Sequence, residues 1–363
     1  MKTGRETSLF SDFEVSMLKR TFSLIIAALL AFQCLLLSSC GKTKEKYSAY
    51  SFDFFDTVTT VTGFAESKEE FDEVSAYVLE ELGVYHRLFD IYKRYDGIEN
   101  LCTVNELVDG AHRTVKVDAR IIVMLEYAVD MYKITGGKVN IAMGSVLSIW
   151  HEYRSEGIDE PWAAQLPPMD KLMAAAEHTD ISSLVIDREN STVTITDPEV
   201  RLDVGAIAKG FAVEMVAREL EKRGITGYVI NVGGNVRTVG AKADGEPWTV
   251  GVENPMDDES KPYIAYLGLA GQSLVTSGSY QRYYIVDGKR YHHIIDPKTL
   301  MPSEGFLSVS ILCESSAMGD ALSTALFCMD LETGKVLIEI IEGAEAMWVL
   351  PDGTTERTSG FPA

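Results

Sequence analysis

Beyond residue 50, short stretches that alternate with period two are interleaved with longer stretches of period near four, and this rhythm predicts an α+β protein with packed helices. The aromatic and β-branched run 51–62 predicts a strand or hairpin. A charged helix is expected over 68–86, where Phe71, Val74, Val78 and Leu82 share one face, and another over 120–135, which stops at Gly136-Gly137. An aromatic turn is expected at Trp150, a loop over 157–168 and a short helix over 169–178. Strands follow at 183–186, 192–196 and 200–204, then a helix over 205–223 with Ala208, Phe211, Ala212 and Met215 as its buried stripe. The later chain reads as a strand at 227–232 and a hairpin turning at Asp287-Gly288. A strand at 307–312, helices starting near Ser315 or Ser316 and near Thr333, and a hairpin about Pro351-Asp352-Gly353 complete it.

Composition changes the picture little, but charge and the N-terminus change it more. With 363 residues and 46% hydrophobic composition, the chain can bury one large domain or two smaller ones. A formal charge of -21 argues against a nucleic-acid partner, so any phosphate must be held locally against the overall field. Lys19 and Arg20 precede an apolar run, 22–37, that ends in Leu37-Ser38-Ser39-Cys40-Gly41, the layout of a secretory leader and too short for a membrane span. The tetrapeptide ending in Cys40 resembles a bacterial lipobox, against the alternatives of a plain cleaved signal or an N-terminal anchor. This reading makes 1–39 a lipoprotein signal peptide with Met17 as its start, Cys40 the lipidated residue, 40–49 a tether and 50–363 the working domain. The remaining cysteines, Cys102, Cys313 and Cys328, suggest neither a disulfide framework nor zinc.

Candidate chemistry centres on Asp203-Val-Gly-Ala-Ile-Ala-Lys-Gly210, where a glycine turn opens a helix. Its amides, the helix dipole and Lys209 favour an anion, with a helix start that binds nothing as the equal alternative. The spacing is neither that of the dinucleotide fingerprint nor that of the P-loop. Gly233-Gly234 follows a strand and lets the backbone approach something bulky. Asp320 and Thr324 stand at i and i+4 of one helix, an oxygen pair suited to Mg²⁺; alternatively Asp320 faces solvent and Thr324 bonds back to its helix. In His292-His293 the two rings take opposite faces, either as core and solvent or with one serving as a base. His86, His112, His151 and His178 show no metal-ligand spacing.

Taken together, Asp203–Gly210, Asn231-Val-Gly-Gly-Asn235, Thr276-Ser-Gly-Ser-Tyr-Gln-Arg282, His293-Ile-Ile-Asp-Pro297 and Gly319-Asp-Ala-Leu-Ser-Thr-Ala325 resemble, in order, the motifs of the ApbE family of FAD:protein FMN transferases. The resemblance covers nearly all of the chain after the leader. It implies an ApbE-like fold with mixed or antiparallel sheets and FAD held between two lobes. It also implies Mg²⁺-dependent transfer of FMN from FAD to a threonine or serine hydroxyl of an exported or membrane redox protein, with release of AMP. On that basis Asp320, Thr324 and the Ala206 carbonyl are metal ligands, Asp203, Lys209 and Ile294 contact FAD, and His293 is the base. Phe55, Tyr92 and Ile141, Ala142 and Met143 fall where the family lines its flavin pocket. Departures are Phe55-Asp56-Thr57 for the usual Met-Gly-Thr, Val139-Asn-Ile-Ala142 for Phe-Asp-Pro-Thr, Glu214 for aspartate and Leu300 for glycine. The alternatives are an FAD pyrophosphatase using the same site, a flavin-binding lipoprotein without turnover, and a generic solute-binding lipoprotein.

Overall fold

The computed structural model describes residues 43–256 and 258–362, so the leader and Cys40 lie outside the described residues. One 8-stranded sheet carries the molecule, and its spatial order follows chain order. The strands are β1 (Glu45–Phe54), β2 (Thr57–Ala65), β3 (Tyr228–Val232), β4 (Asn235–Val239), β5 (Ser273–Gly278), β6 (Ser308–Cys313), β7 (Glu345–Val349) and β8 (Thr355–Arg357). From β2 to β8 every neighbouring pair is antiparallel. The insertions between strands supply α1 (Lys68–Phe89), α2 (Ala119–Ile134), α3 (Gly144–Asp159), α4 (Ala208–Lys222) and α5 (Ser316–Phe327). β1 opens at Glu45, inside the segment read as a tether, and Tyr47 packs on Phe71 of α1 with ring centroids 5.6 Å apart.

Strand alternation explains how the sheet buries both faces. In β6 and β7 the residues Ile311 and Trp348 join the main core, and Val275 of β5, 1% exposed, faces Gly319 of α5. Their neighbours Leu274, Leu312 and Met347 point the other way, against the hairpin Trp248–Glu253 and Tyr263–Leu269. The register pairs Leu274 with Leu312 and Val275 with Ile311, so like faces meet. A third cluster joins Met143, Val146, Ile149 and Trp150 to Tyr284, Val286 and Leu300. Residues Lys46–Ala363 form one compact unit.

Two expectations fail, each for a local reason. The turn at Trp150 is part of α3, which runs on to Asp159 and so also shortens the expected loop. Val146, Ile149 and Trp150 give α3 a buried stripe, but its N-cap Met143 offers no side-chain bond and no recognisable start. The expected strand 200–204 is extended chain without a ladder: it makes one parallel bridge, Arg201 with Met143, and the Leu202 amide donates to Asn105 Oδ1 at 2.8 Å. Gly144 is required there, because a Cβ would lie 2.5 Å from the Arg201 carbonyl oxygen.

Candidate active site

The site begins where α4 meets α5. A Cβ on Gly210 would fall 2.4 Å from Asp320 Cβ and 2.4 Å from the Ser316 carbonyl oxygen, so only glycine lets the two helices touch. Through that contact the Gly210 amide donates to Asp320 Oδ2 at 2.8 Å. Asn235 Nδ2 donates to Oδ1 at 3.2 Å, and Lys209 Nζ stands 3.6 Å from the same oxygen. Asp320 is 4% exposed, and the anion held by this helix start is the protein's own carboxylate. Glu214, the departure from aspartate, is a buttress: it accepts the Ser316 amide at 2.8 Å at the start of α5 and pairs with Arg237 and Arg218.

Asp320, Thr324 and Ala206 line one cleft of about 980 Å³, at the upper end of the range for small-molecule sites. Thr324 Oγ1 makes no bond back to its helix among the described residues, against that alternative from the sequence. The Gly210 amide turns to Asp320 instead of to the carbonyl of Ala206 four residues back. Asn235 Oδ1 is buried without a partner beside Asp320. One carboxylate with neutral oxygens suits a hard cation that keeps waters or phosphate oxygens as its other ligands. Among the described residues no group of three or more His, Cys, Asp and Glu is placed to hold a metal ion.

A second wall comes from the segments around Asp203 and α3. The Asp203 amide donates to the Ile141 carbonyl at 2.8 Å, and its Oδ1 accepts the Gly205 amide at 2.9 Å. Burial pushes the Asp203 carboxyl up, with the Gly205 bond, His151 and Arg154 opposing. Ile141 and Met143 line the cleft, whereas Ala142 is fully buried behind them. Tyr92, 64% exposed, stacks on His151 at 5.1 Å and 29°. Phe55 is not on the wall: with Asp56 it makes a turn at φ 55 and 50, its ring edge-on to His86, and the neighbouring Asp56 and Thr57 line the cleft instead. At φ 50 Asp56 holds the left-handed backbone region that favours glycine. Gly233, at φ 54, approaches Thr57, whose Oγ1 a Cβ would meet at 2.4 Å.

His293 follows the hairpin Tyr283–Val286 and Lys289–His292. His292 turns inward, its Nε2 2.8 Å from the Ser303 carbonyl and its ring edge-on to Phe327. His293 Nδ1 lies 3.2 Å from the Arg282 carbonyl, which also accepts the His293 amide at 3.1 Å. That bond fixes the proton on Nδ1 and leaves the Nε2 lone pair for chemistry. Burial first, then the charges of Arg282, Arg154, His292 and Lys209, push the pKa of His293 down to about 3. Ile294 is 5% exposed and forms part of the cleft wall. Leu300 holds φ 61 where the family uses glycine, and its carbonyl accepts Trp150 Nε1 at 2.8 Å.

Sequence reasoning assigned no role to Arg154, His151, Arg282 or Asn235, all of which line the cleft. The stripe Val146, Ile149, Trp150 and Tyr153 is the signal that would have placed the first two on a helix.

A buried carboxylate, neutral oxygens, a lysine and an unprotonated imidazole around one large cleft define a phosphate-handling α+β protein. The chain belongs to the ApbE family, whose model matches residues 55–348. The FAD:protein FMN transferase of Klebsiella pneumoniae (strain 342) is 32% identical over 272 residues, 72% of this chain and 81% of that protein. The protein of the same name from Treponema pallidum (strain Nichols) is 32% identical over 261 residues, covering 68% and 70%. The crystal structure of the ApbE protein of Thermotoga maritima superposes with a TM-score of 0.75 at 27% identity, covering 87% of this chain and 97% of that one. The family and the α+β fold expected from the motifs both hold.

Proposed function

We propose that this protein transfers FMN from FAD to a threonine or serine hydroxyl of an exported or membrane redox protein and releases AMP. The observation that carries the reading is the His293 imidazole, neutral and anchored at Nδ1, in the same cleft as Asp320, Thr324, Asp203 and Lys209. The names of its relatives support it. Asp320, Thr324 and the Ala206 carbonyl would hold Mg²⁺, which supplies charge neutralisation at the pyrophosphate when bound. Tyr92 with His151 offers an aromatic face to a ring of the dinucleotide. The accepting hydroxyl oxygen bonds to the flavin-side phosphorus, its proton passes to His293 Nε2, and the phosphorus–oxygen bond to AMP breaks with its electron pair on AMP. Lys209 faces the same phosphates with a mobile charge.

Lipidation at Cys40 would hold the protein on the outer face of a bacterial plasma membrane or facing the periplasm. No described helix is long and apolar enough to cross a membrane. The test is incubation with FAD and Mg²⁺, with and without an acceptor domain, reading in-gel flavin fluorescence and AMP. Labelled acceptor with AMP supports the proposal. AMP without label assigns a pyrophosphatase in which water replaces the hydroxyl, and intact bound FAD assigns a carrier.

A further inference from the structure

Arg154 and Arg282 line the cleft without a carboxylate at ion-pair distance among the described residues, although the Asp203 charge acts on Arg154. This sets them apart from the other cations there: Lys138 is paired with Asp296 at 2.8 Å, and Lys209 stands against Asp320. In a chain with 54 acidic and 33 basic side chains, two guanidiniums left out of ion pairs in one cavity are available to an anionic ligand. Each is held in place by neutral acceptors. Arg154 Nη2 lies 3.0 Å from His151 Nδ1, one turn back on α3, and the ring of His151 rests on Tyr92. Burial and the Arg154 charge hold His151 below its ordinary pKa, which keeps that nitrogen an acceptor. Arg282 Nη2 donates to the carbonyls of Phe55 and Asp56, each at 3.2 Å. His293, Tyr92 and the two arginines line one cleft, with His293 Nδ1 3.2 Å from the Arg282 carbonyl and Tyr92 stacked on the His151 that Arg154 touches; both guanidinium charges act on His293 and on Tyr92.

We infer that Arg154, with Arg282 beside it, seats the flavin-side phosphate of the bound dinucleotide, apart from the oxygen cluster at Asp320. The inference rests on the transfer reading above. A base that takes the proton of the attacking hydroxyl must stand beside the phosphorus under attack, and the guanidiniums line the same cleft as that base. A planar guanidinium matches two phosphate oxygens, and seating one there offsets the charges that hold His293 neutral. Arg154 is therefore a positioning and specificity residue. Lysine in its place would keep the charge and lose the fork.

The test measures FMN, riboflavin and AMP binding to the full chain in detergent, with EDTA present so that no cation at Asp320 contributes. Arg154→Gln is expected to weaken FMN about tenfold, the size of one charge-assisted contact, while riboflavin and AMP stay within about twofold; Arg154→Lys is expected to recover part of the loss. Equal losses for FMN and riboflavin would overturn the inference, because Arg154 would then serve the Tyr92–His151 stack. Loss of AMP instead of FMN, an unchanged FMN affinity, or wild-type protein binding FMN no tighter than riboflavin would also overturn it. If FMN alone weakens while the wild type labels no acceptor, the phosphate seat stands and the transfer reading falls. If acceptor is labelled while FMN affinity is unchanged in Arg154→Gln, only the seat falls.

Discussion

The two walls of the cleft are made in different ways. The wall at Asp320 is an intimate contact of two helices, in which Gly210 removes every atom between backbone and carboxylate and both carboxylate oxygens already have donors. The wall at His293 is assembled from α3, the turn at Phe55-Asp56 and the segment after a hairpin, held mostly by side chains on backbone carbonyls. The first presents oxygens and suits a cation. The second presents guanidiniums and an imidazole and suits an anion. On the proposed reading a pyrophosphate would meet the guanidiniums directly on one side and the oxygen wall through a bound cation on the other, which would offset the formal charge of -21 locally.

The largest effect should come from the helix-contact wall. Asp320→Ala removes the one buried carboxylate of the oxygen set and leaves the Gly210 amide without its acceptor, so Mg²⁺-dependent AMP release should disappear. Wild-type rates in that variant would remove the metal assignment. Next is His293→Asn, expected to slow transfer by about 10² to 10⁴ with FAD affinity little changed. Because the folded pKa of His293 is about 3 against the usual 6.5, its protonation should not produce an acid limb in kcat/KM near neutrality. The limb in kcat should lie at higher pH, since bound phosphate offsets the neighbouring cations. The same shift has a stability consequence: below about pH 6.5 the unfolded chain takes up a proton that the folded protein refuses until about 3, so this group lowers stability as pH falls through that window. Coincident limbs in kcat and kcat/KM would contradict the placing of an anion beside the base.

Thr324→Val keeps the side-chain shape and removes one neutral oxygen. A rise of about 10- to 100-fold in the Mg²⁺ concentration needed is expected, by analogy with groups that tune a metal site, and titrating the rate with Mg²⁺ checks it. Unfolding should be little affected, because the hydroxyl makes no bond back to its helix among the described residues. The smallest effect belongs to Tyr92→Phe, which keeps the ring on His151. FAD affinity by flavin fluorescence should change by no more than about threefold, as expected when stacking rather than the hydroxyl does the binding.

The difference between the walls also decides what was legible in the sequence. Asp320 and Thr324 are four residues apart on one helix, and Ala206, Lys209 and Gly210 lie within one short stretch, so local spacing brought the first wall into view. Glycine at 210 carried the rest, since its missing side chain is what the helix contact demands. Arg154 and His151 were hidden because α3 starts without a cap and packs its first residue against Arg201 through tertiary contact alone. Arg282 was quoted within a motif but given no role, because its guanidinium reaches a turn far back in the chain. β4 escaped notice for a related reason: Arg237 and Thr238 point inward at 2% and 0% exposure, held by Glu214, Glu221 and the Gln272 carbonyl, and break the apolar alternation that marks a strand. Ala142 and Phe55 were expected at the flavin pocket, but Ala142 is buried behind the cleft wall and Phe55 turns its ring to His86.

The central claim is that the base and the oxygen cluster serve one phosphorus and pass it to a protein hydroxyl. It is tested most directly by mass spectrometry of an acceptor domain incubated with this protein, FAD and Mg²⁺, with AMP quantified in the same tube. One FMN joined through a phosphoester to a single threonine or serine, with one AMP per adduct, is the expected result. AMP released without any adduct, or an adduct without AMP, would contradict it.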